Sequence, residues 1–313
     1  MAPLIPRMHL FEIDDQSWFH PWFRARVQAA LTIAWITCLP LVQSTSPARA
    51  VASLLAEHVL GTKDGRRQPW VMIDFCAGAG GPTPTIEQHV NGSDGAGKGR
   101  RAAGDDQEHE PVKFVLTDLH PHIDNWREAA ARSPNVSYEP SSVDASHADP
   151  ALLARHAGGG GDGGEKQKKK VFRLFNLAFH HFDDDLARAI LKDTVETSDG
   201  FGIFELQSRD AAGFFSPAIF GLGILALAPF YAFKWRSPAT LFWAWLVPVL
   251  PFVLVWDGWI SSLRTRTPRE VEVLLRTCGA EGGTDRWEVR SGSVEHLWPC
   301  GFVNWVICLK KDA

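Results

Sequence analysis

A chain of 313 residues, 45% of them hydrophobic, is long enough for one large domain carrying an insertion or for two small ones. Its 32 Lys and Arg against 36 Asp and Glu leave a net charge of −4, which argues against the basic footprint of a nucleic-acid binder. Five scattered cysteines (Cys38, Cys76, Cys278, Cys300, Cys308) with no CxxC pair argue against a disulfide framework and for a reducing compartment.

Glu12, Asp14 and Asp15 precede any apolar stretch, so no secretory signal is expected at the start. The uncharged run 27–48 is rich in Gln, Thr and Ser, which makes it a poor membrane span. Its first half reads as a helix resting on the domain or on a bilayer, within an N-terminal helical segment covering residues 1–56. Beyond it, apolar runs that end in polar residues alternate with helical patterns. Strands are expected at 70–75, 112–117, 136–138, 171–177 and 202–206, with two late strands near 287–289 and 302–309. Helices are expected at 83–90, 123–131, 150–156, 183–196 and 268–278. The last opens with Thr267-Pro268-Arg269-Glu270, where Thr caps, Pro takes the first turn and Glu sits at the third helical position. Segments 91–110 and 158–170 are small, Gly-rich and charged, and read as surface loops. The alternative for Lys166, Lys168, Lys169 and Lys170 is a basic patch for acidic lipids. The alternation predicts an open, mostly parallel α/β sheet, whose ligands sit beyond the carboxyl ends of the strands.

Runs 211–233 and 237–256 contain no Asp, Glu, Lys or Arg, and only Lys234-Trp235-Arg236 separates them. A helix needs about 20 such residues to cross a bilayer, so residues 210–263 are expected to form an inserted hydrophobic helical hairpin, transmembrane or membrane-embedded. Pro217, Pro229, Pro238, Pro248 and Pro251 leave a re-entrant or interfacial path open. Arg209, Arg264, Arg266 and Arg269 at the base, against Lys234 and Arg236 at the tip, favour a domain facing the cytosol.

Four chemical motifs close the strands in turn. Asp74-Phe-Cys76-Ala-Gly78-Ala-Gly80-Gly81-Pro82 is a glycine-rich bend after the first strand, able to bring backbone close to a ligand. Asp118 ends the second strand, 38 positions past Gly80, or 18 once the 20 residues of segment 91–110 are removed. A ribose-binding acid is expected about 20 residues beyond such a loop. Ser142-Val-Asp144-Ala145-Ser146 follows the third strand, and Asn176-Leu-Ala-Phe179-His180-His181 follows the fourth. A nicotinamide-binding GxGxxG is absent, because Thr83 takes the place of its third glycine.

In order and placement these motifs resemble the class I S-adenosylmethionine-dependent methyltransferases, over residues 57–209 and 264–313. The chain also resembles a membrane-associated group of that superfamily, through Asp15-Gln16-Ser-Trp18-Phe19 and Trp256-Asp257-Gly258 with Arg264-Thr265 after them. The resemblance implies a Rossmann-like seven-stranded, mostly parallel sheet with helices on both faces. It implies S-adenosyl-L-methionine as cofactor, held by Asp74, Cys76, Gly78, Gly80, Asp118, Leu119, Asp144, Ala145 and Asn176. Cys76 stands where the family's loop usually has Gly. For Asp118 and Asp144 the competing reading is an ordinary helix cap. His180 and His181 are the candidate catalytic residues, the alternative being that either one walls the cofactor or bonds backbone. No metal site is expected, since His120, His122, His180 and His181 lack an assured carboxylate or thiolate partner. Asp15, Trp18, Asp257 and Arg264 form either a lid over the cofactor or a buried Asp–Arg pair that seats the hairpin. The expected function is methyl transfer to an apolar or lipid-like small molecule at a membrane, with no nucleic-acid partner; the alternative is a non-catalytic, membrane-anchored interaction protein of the same fold.

Overall fold

A computed structural model describes residues 3–39, 41–61, 68–92, 110–158 and 168–311. The loops expected at 91–110 and 158–170 fall largely outside the described residues, as does Lys166. Seven strands, β1 (Trp70–Phe75), β2 (Lys113–Thr117), β3 (Val136–Tyr138), β4 (Lys170–Asn176), β5 (Gly200–Glu205), β6 (Trp287–Leu297) and β7 (Gly301–Lys310), form one sheet. Their order is β3-β2-β1-β4-β5-β7-β6. The first five are parallel and β7 runs antiparallel between β5 and β6. This Rossmann-like order, with its antiparallel closing pair, is the class I methyltransferase fold.

Side chains alternate across the pleat and so supply two cores. Val71, Ile73 and Phe75 of β1 join Ile190 and Leu191 of α6 (Asp184–Thr197) and Leu275 of α10 (Pro268–Arg276) on one face. Trp70 and Met72 meet Val51 and Leu55 of α2 (Pro47–Leu55) and Ile86 of α3 (Thr83–Val90) on the other. The parallel strands are buried on both sides and read as apolar runs. β6 is far longer than the three residues expected, because an edge strand needs no such run: its stretch Arg290-Ser291-Gly292-Ser293 pairs with β7 while staying largely in solvent. The capping box at Thr267 and Glu270 is present as expected. The remaining small helices, α4 (Ile123–Arg132) and α5 (Pro150–His156), follow β2 and β3.

The hydrophobic insertion leaves β5 and returns at α10. α7 (Ala211–Lys234) is one unbroken helix of 24 residues, and only 22% of its most apolar window is buried. The second run is broken, within the range that its prolines left open. α8 (Pro238–Leu241) and a π-turn at Phe242–Leu246 are bent 66° from α9 (Val249–Arg264). The cause is local: Val247, ahead of Pro248, is extended at φ −125°, since a proline ring disfavours helix in the residue before it. α1 (Pro21–Ile36) packs Val27 against Val253 and Leu254 of α9. The N-terminal segment thereby becomes a third wall of the insertion.

Candidate active site

The carboxyl ends of β1, β2 and β4 form the first half of the site. Asp74 is fully buried; one of its oxygens accepts from the Thr83 hydroxyl and from Asn176 Nδ2 at 3.4 Å. Oδ1 of Asp74 and Oδ1 of Asn176 are both buried with no partner among the described residues. Burial, opposed by the Thr83 and Asn176 hydrogen bonds, pushes the Asp74 carboxyl up to about 7. The glycine bend turns through left-handed backbone at Gly78 (φ 51°) and Gly80 (φ 102°), and a Cβ built on Gly78 would meet nothing within 4 Å. Cys76 has φ 67°, a conformation costing an L side chain roughly 1–2 kcal/mol, which explains why Gly is usual there. Burial and the nearby carboxylates raise the Cys76 thiol, which disfavours its thiolate form.

Asp118 caps no helix. Its two oxygens accept from the N–H groups of Gly78 (2.8 Å) and His120 (2.8 Å), which pins the glycine bend to the end of β2. Trp126 Nε1 holds the same bend through the Gly78 carbonyl at 2.8 Å. Asp144 is exposed and accepts from the backbone and hydroxyl of Ser146, while Leu119 is exposed beside the bend and Ala145 is buried. Asp74, Gly78, Gly80, Asp118 and Asn176 are thus gathered at one rim. The orphaned oxygens and the open space above Gly78 fit a polar, nucleoside-type cofactor.

The second half lies beyond β4 and β5. Leu177 turns the chain with φ 54° and a bond from its N–H to the Phe204 carbonyl, which delivers a short 3-10 turn at Phe179–His181. His180 is buried: its backbone N–H donates to Glu205 Oε1 at 3.1 Å and its Nδ1 meets Glu205 Oε2 at 2.8 Å. A carboxylate only accepts, so Nδ1 carries a proton, and Nε2 is the ring nitrogen not engaged by Glu205. That nitrogen faces Glu12 Oε1 at 3.8 Å. His181 lies in an ionic cluster, 3.3 Å from Asp15 Oδ2 and 4.0 Å from Glu12 Oε2. Burial disfavours its charged form, but the Asp15 hydrogen bond and the Glu12 and Asp15 charges prevail and raise its pKa.

Arg264 binds the cluster together. Its Nη1 is 3.0 Å from both Glu12 Oε1 and Asp15 Oδ2, and its Nε donates to the Leu10 carbonyl at 2.6 Å. Asp257 of α9 accepts the N–H groups of Ile13 (2.6 Å) and Asp14 (2.9 Å). The buried acid on Arg264 is thus Glu12 in place of the expected Asp, with the partly exposed Asp15 beside it, and these contacts strap the N-terminal segment across the base of the insertion. Trp18 stays outside, 68% exposed.

A cavity of about 450 Å³ opens between α1, α7 and α9. Val27, Leu31, Phe220, Ile224 and Leu254 give it apolar walls, and Glu12, His180 and His181 form part of its polar lining. Sequence reasoning missed Glu12 and Glu205. Glu205 carried one weak signal, a polar end to an otherwise apolar strand, whereas nothing linked Glu12 to residues nearly 170 positions away.

No protein-family model matches the chain, and no curated protein does. Most of the similar solved structures named here are methyltransferases. The magnesium protoporphyrin IX methyltransferase of Synechocystis PCC 6803 bound to SAH is 10% identical, with a TM-score of 0.39 over 85% of this chain and 82% of that one. The methyltransferase domain of a bacterial Hen1 is 10% identical, with a TM-score of 0.41 over 84% and 97%. A candidate zinc-dependent alcohol dehydrogenase of Rhodobacter sphaeroides is 10% identical, with a TM-score of 0.44 over 91% and 98%. These likenesses are remote, and the strand order itself carries the fold assignment.

Proposed function

We propose that the protein transfers a methyl group from S-adenosylmethionine to a small acceptor with an apolar, lipid-like body, and that it works at a membrane. The observation that carries this reading is the cavity. Its walls come from the insertion and α1, while its lining includes His180, four residues past the cofactor-rim residue Asn176. Asp74 and Asn176 would hold the polar end of the cofactor, Asp118 its ribose and Asp144 its base. When bound, S-adenosylmethionine supplies an electrophilic methyl on a sulfonium. Glu205 fixes the His180 ring, whose Nε2 is free to accept a proton from an acceptor hydroxyl. The apolar walls exclude water and align the acceptor, which is most of what an in-line displacement requires.

The membrane part rests on α7, whose apolar length reaches a bilayer's thickness while most of its surface is uncovered by protein, with Phe214, Leu222, Phe230 and Phe233 all exposed. A core helix of a soluble protein would be covered. Calorimetric titration of detergent-purified protein with S-adenosylmethionine and with NAD tests the cofactor. Sulfonium binding that Asp118→Ala weakens about 10- to 100-fold is the expected result, and binding of neither ligand would favour a non-catalytic scaffold. Carbonate-resistant membrane retention should vanish when residues 211–256 are replaced by a short Gly-Ser linker.

A further inference from the structure

Three of the polar groups that line the cavity have the composition of a metal centre. One ring nitrogen each of His180 and His181 and one carboxylate oxygen of Glu12 all lie within 4.8 Å of one another, and His180 Nε2 and His181 Nδ1 approach the Glu12 carboxylate to 3.8 and 4.0 Å. Two imidazoles and one carboxylate on one side of a cavity are the donor set of a facial triad, which leaves coordination positions open for a ligand. We propose that Glu12, His180 and His181 bind a divalent first-row transition cation, whose open positions face the acceptor cavity.

Three further observations support the assignment. The nitrogen of His180 that is not offered to the cation is held by Glu205 at 2.8 Å, the carboxylate–histidine arrangement that orients metal-binding imidazoles. Glu12 Oε1 is already held by Ser261 Oγ at 2.9 Å and Arg264 Nη1 at 3.0 Å, which leaves Oε2, the oxygen nearer His181, as the ligand atom. The cluster is also acid-rich: Glu12, Asp15 and Glu205 bring three carboxylates to the surroundings of the single guanidinium of Arg264, an excess of acid that favours a bound cation. Arg264 is the competitor for the site, lying 3.4 Å from His181 Nδ1; its Nε bond to the Leu10 carbonyl and its Nη1 contacts to Glu12 Oε1 and Asp15 Oδ2 hold it against the other carboxylate oxygens. A cation here would bind the acceptor's oxygen or nitrogen directly and lower its pKa, in place of proton acceptance by His180, whose Nε2 lone pair it would occupy.

The test needs neither an acceptor nor S-adenosylmethionine. Chelator-treated full-length protein in detergent is titrated with Co²⁺ alone, following visible absorption and metal content after gel filtration. One equivalent per chain with a ligand-field band is expected. Affinity should fall at least tenfold in Glu12→Gln and in His181→Ala and stay unchanged in His122→Ala, which lies outside the cluster. His181 is the partly exposed ligand, so its truncation guards against misfolding, and unaltered near-ultraviolet circular dichroism checks both variants. Substoichiometric binding by the wild type, or binding retained in both well-folded variants, would overturn the site. A parallel S-adenosylmethionine titration keeps the two readings separate, since either can fail while the other stands.

Discussion

The two halves of the site are built on opposite plans. At the ends of β1 and β2, the bend is made by backbone: Gly78 N–H, the Gly78 carbonyl and the left-handed turn, held by Asp118 and Trp126. At the ends of β4 and β5, side chains from distant segments converge, with Glu12, His180, Glu205 and Arg264 joined through ion pairs. A backbone cradle is a local product of glycine and one acidic anchor, so it survives as a motif. An ionic cluster depends on tertiary packing, so it leaves no compact motif.

The comparison can be broken from either side, and the largest effect belongs to the cradle. Asp74 is raised from an ordinary 3.8 to about 7 by burial. A carboxyl with a raised folded-state pKa stabilises the fold below about pH 4 and loses that contribution as pH rises towards 7. The full linkage is at most about 4 kcal/mol. Thermal unfolding of cofactor-free protein should therefore show stability declining from pH 4 to 7, and Asp74→Asn should flatten that slope; an unchanged slope would mean that water reaches Asp74 Oδ1.

On the other side, His180→Ala should slow methyl transfer about 100-fold or more while S-adenosylmethionine affinity stays within threefold. Equal loss of both in single-turnover and calorimetric assays would place His180 in the cofactor wall instead. Asp118→Ala should show the reverse split, with cofactor affinity down about 10- to 100-fold, because the variant loses the bend's anchor as well as a ribose acceptor.

The smallest effect concerns the walls of the cavity. A Cβ on Gly258 would lie 2.8 Å from Pro217 Cβ, where α9 crosses α7. Gly258→Leu should cost about 1–3 kcal/mol by overpacking, read as a lowered unfolding midpoint in detergent. It should weaken acceptor binding more than cofactor binding; the opposite pattern would separate the cavity from the acceptor site.

Legibility followed the same division. Six of the seven expected strands, the capping box at Thr267 and the cofactor rim could be read because each depends on a short-range pattern: apolar runs, a capping motif, glycines and an acid at a strand end. The broken second arm was read only as an open possibility at Pro248, and β6 was seen only in part, because an edge strand carries no apolar run. His180 and His181 were singled out together, yet their environments differ: one is buried against Glu205, the other shared among Asp15, Glu12 and Arg264.

Taken alone, the sequence determined the sheet, its glycine bend with Asp118 at the second strand end, and the presence of a long apolar insertion, since periodicity and turn chemistry act over a few residues. Only the tertiary structure decided that the insertion, α1 and the N-terminal strap close a cavity over His180, and that Glu12 and Arg264 complete its polar end. Those contacts join segments hundreds of positions apart, and the pairing of buried charges across such distances is settled by packing, not by any local pattern.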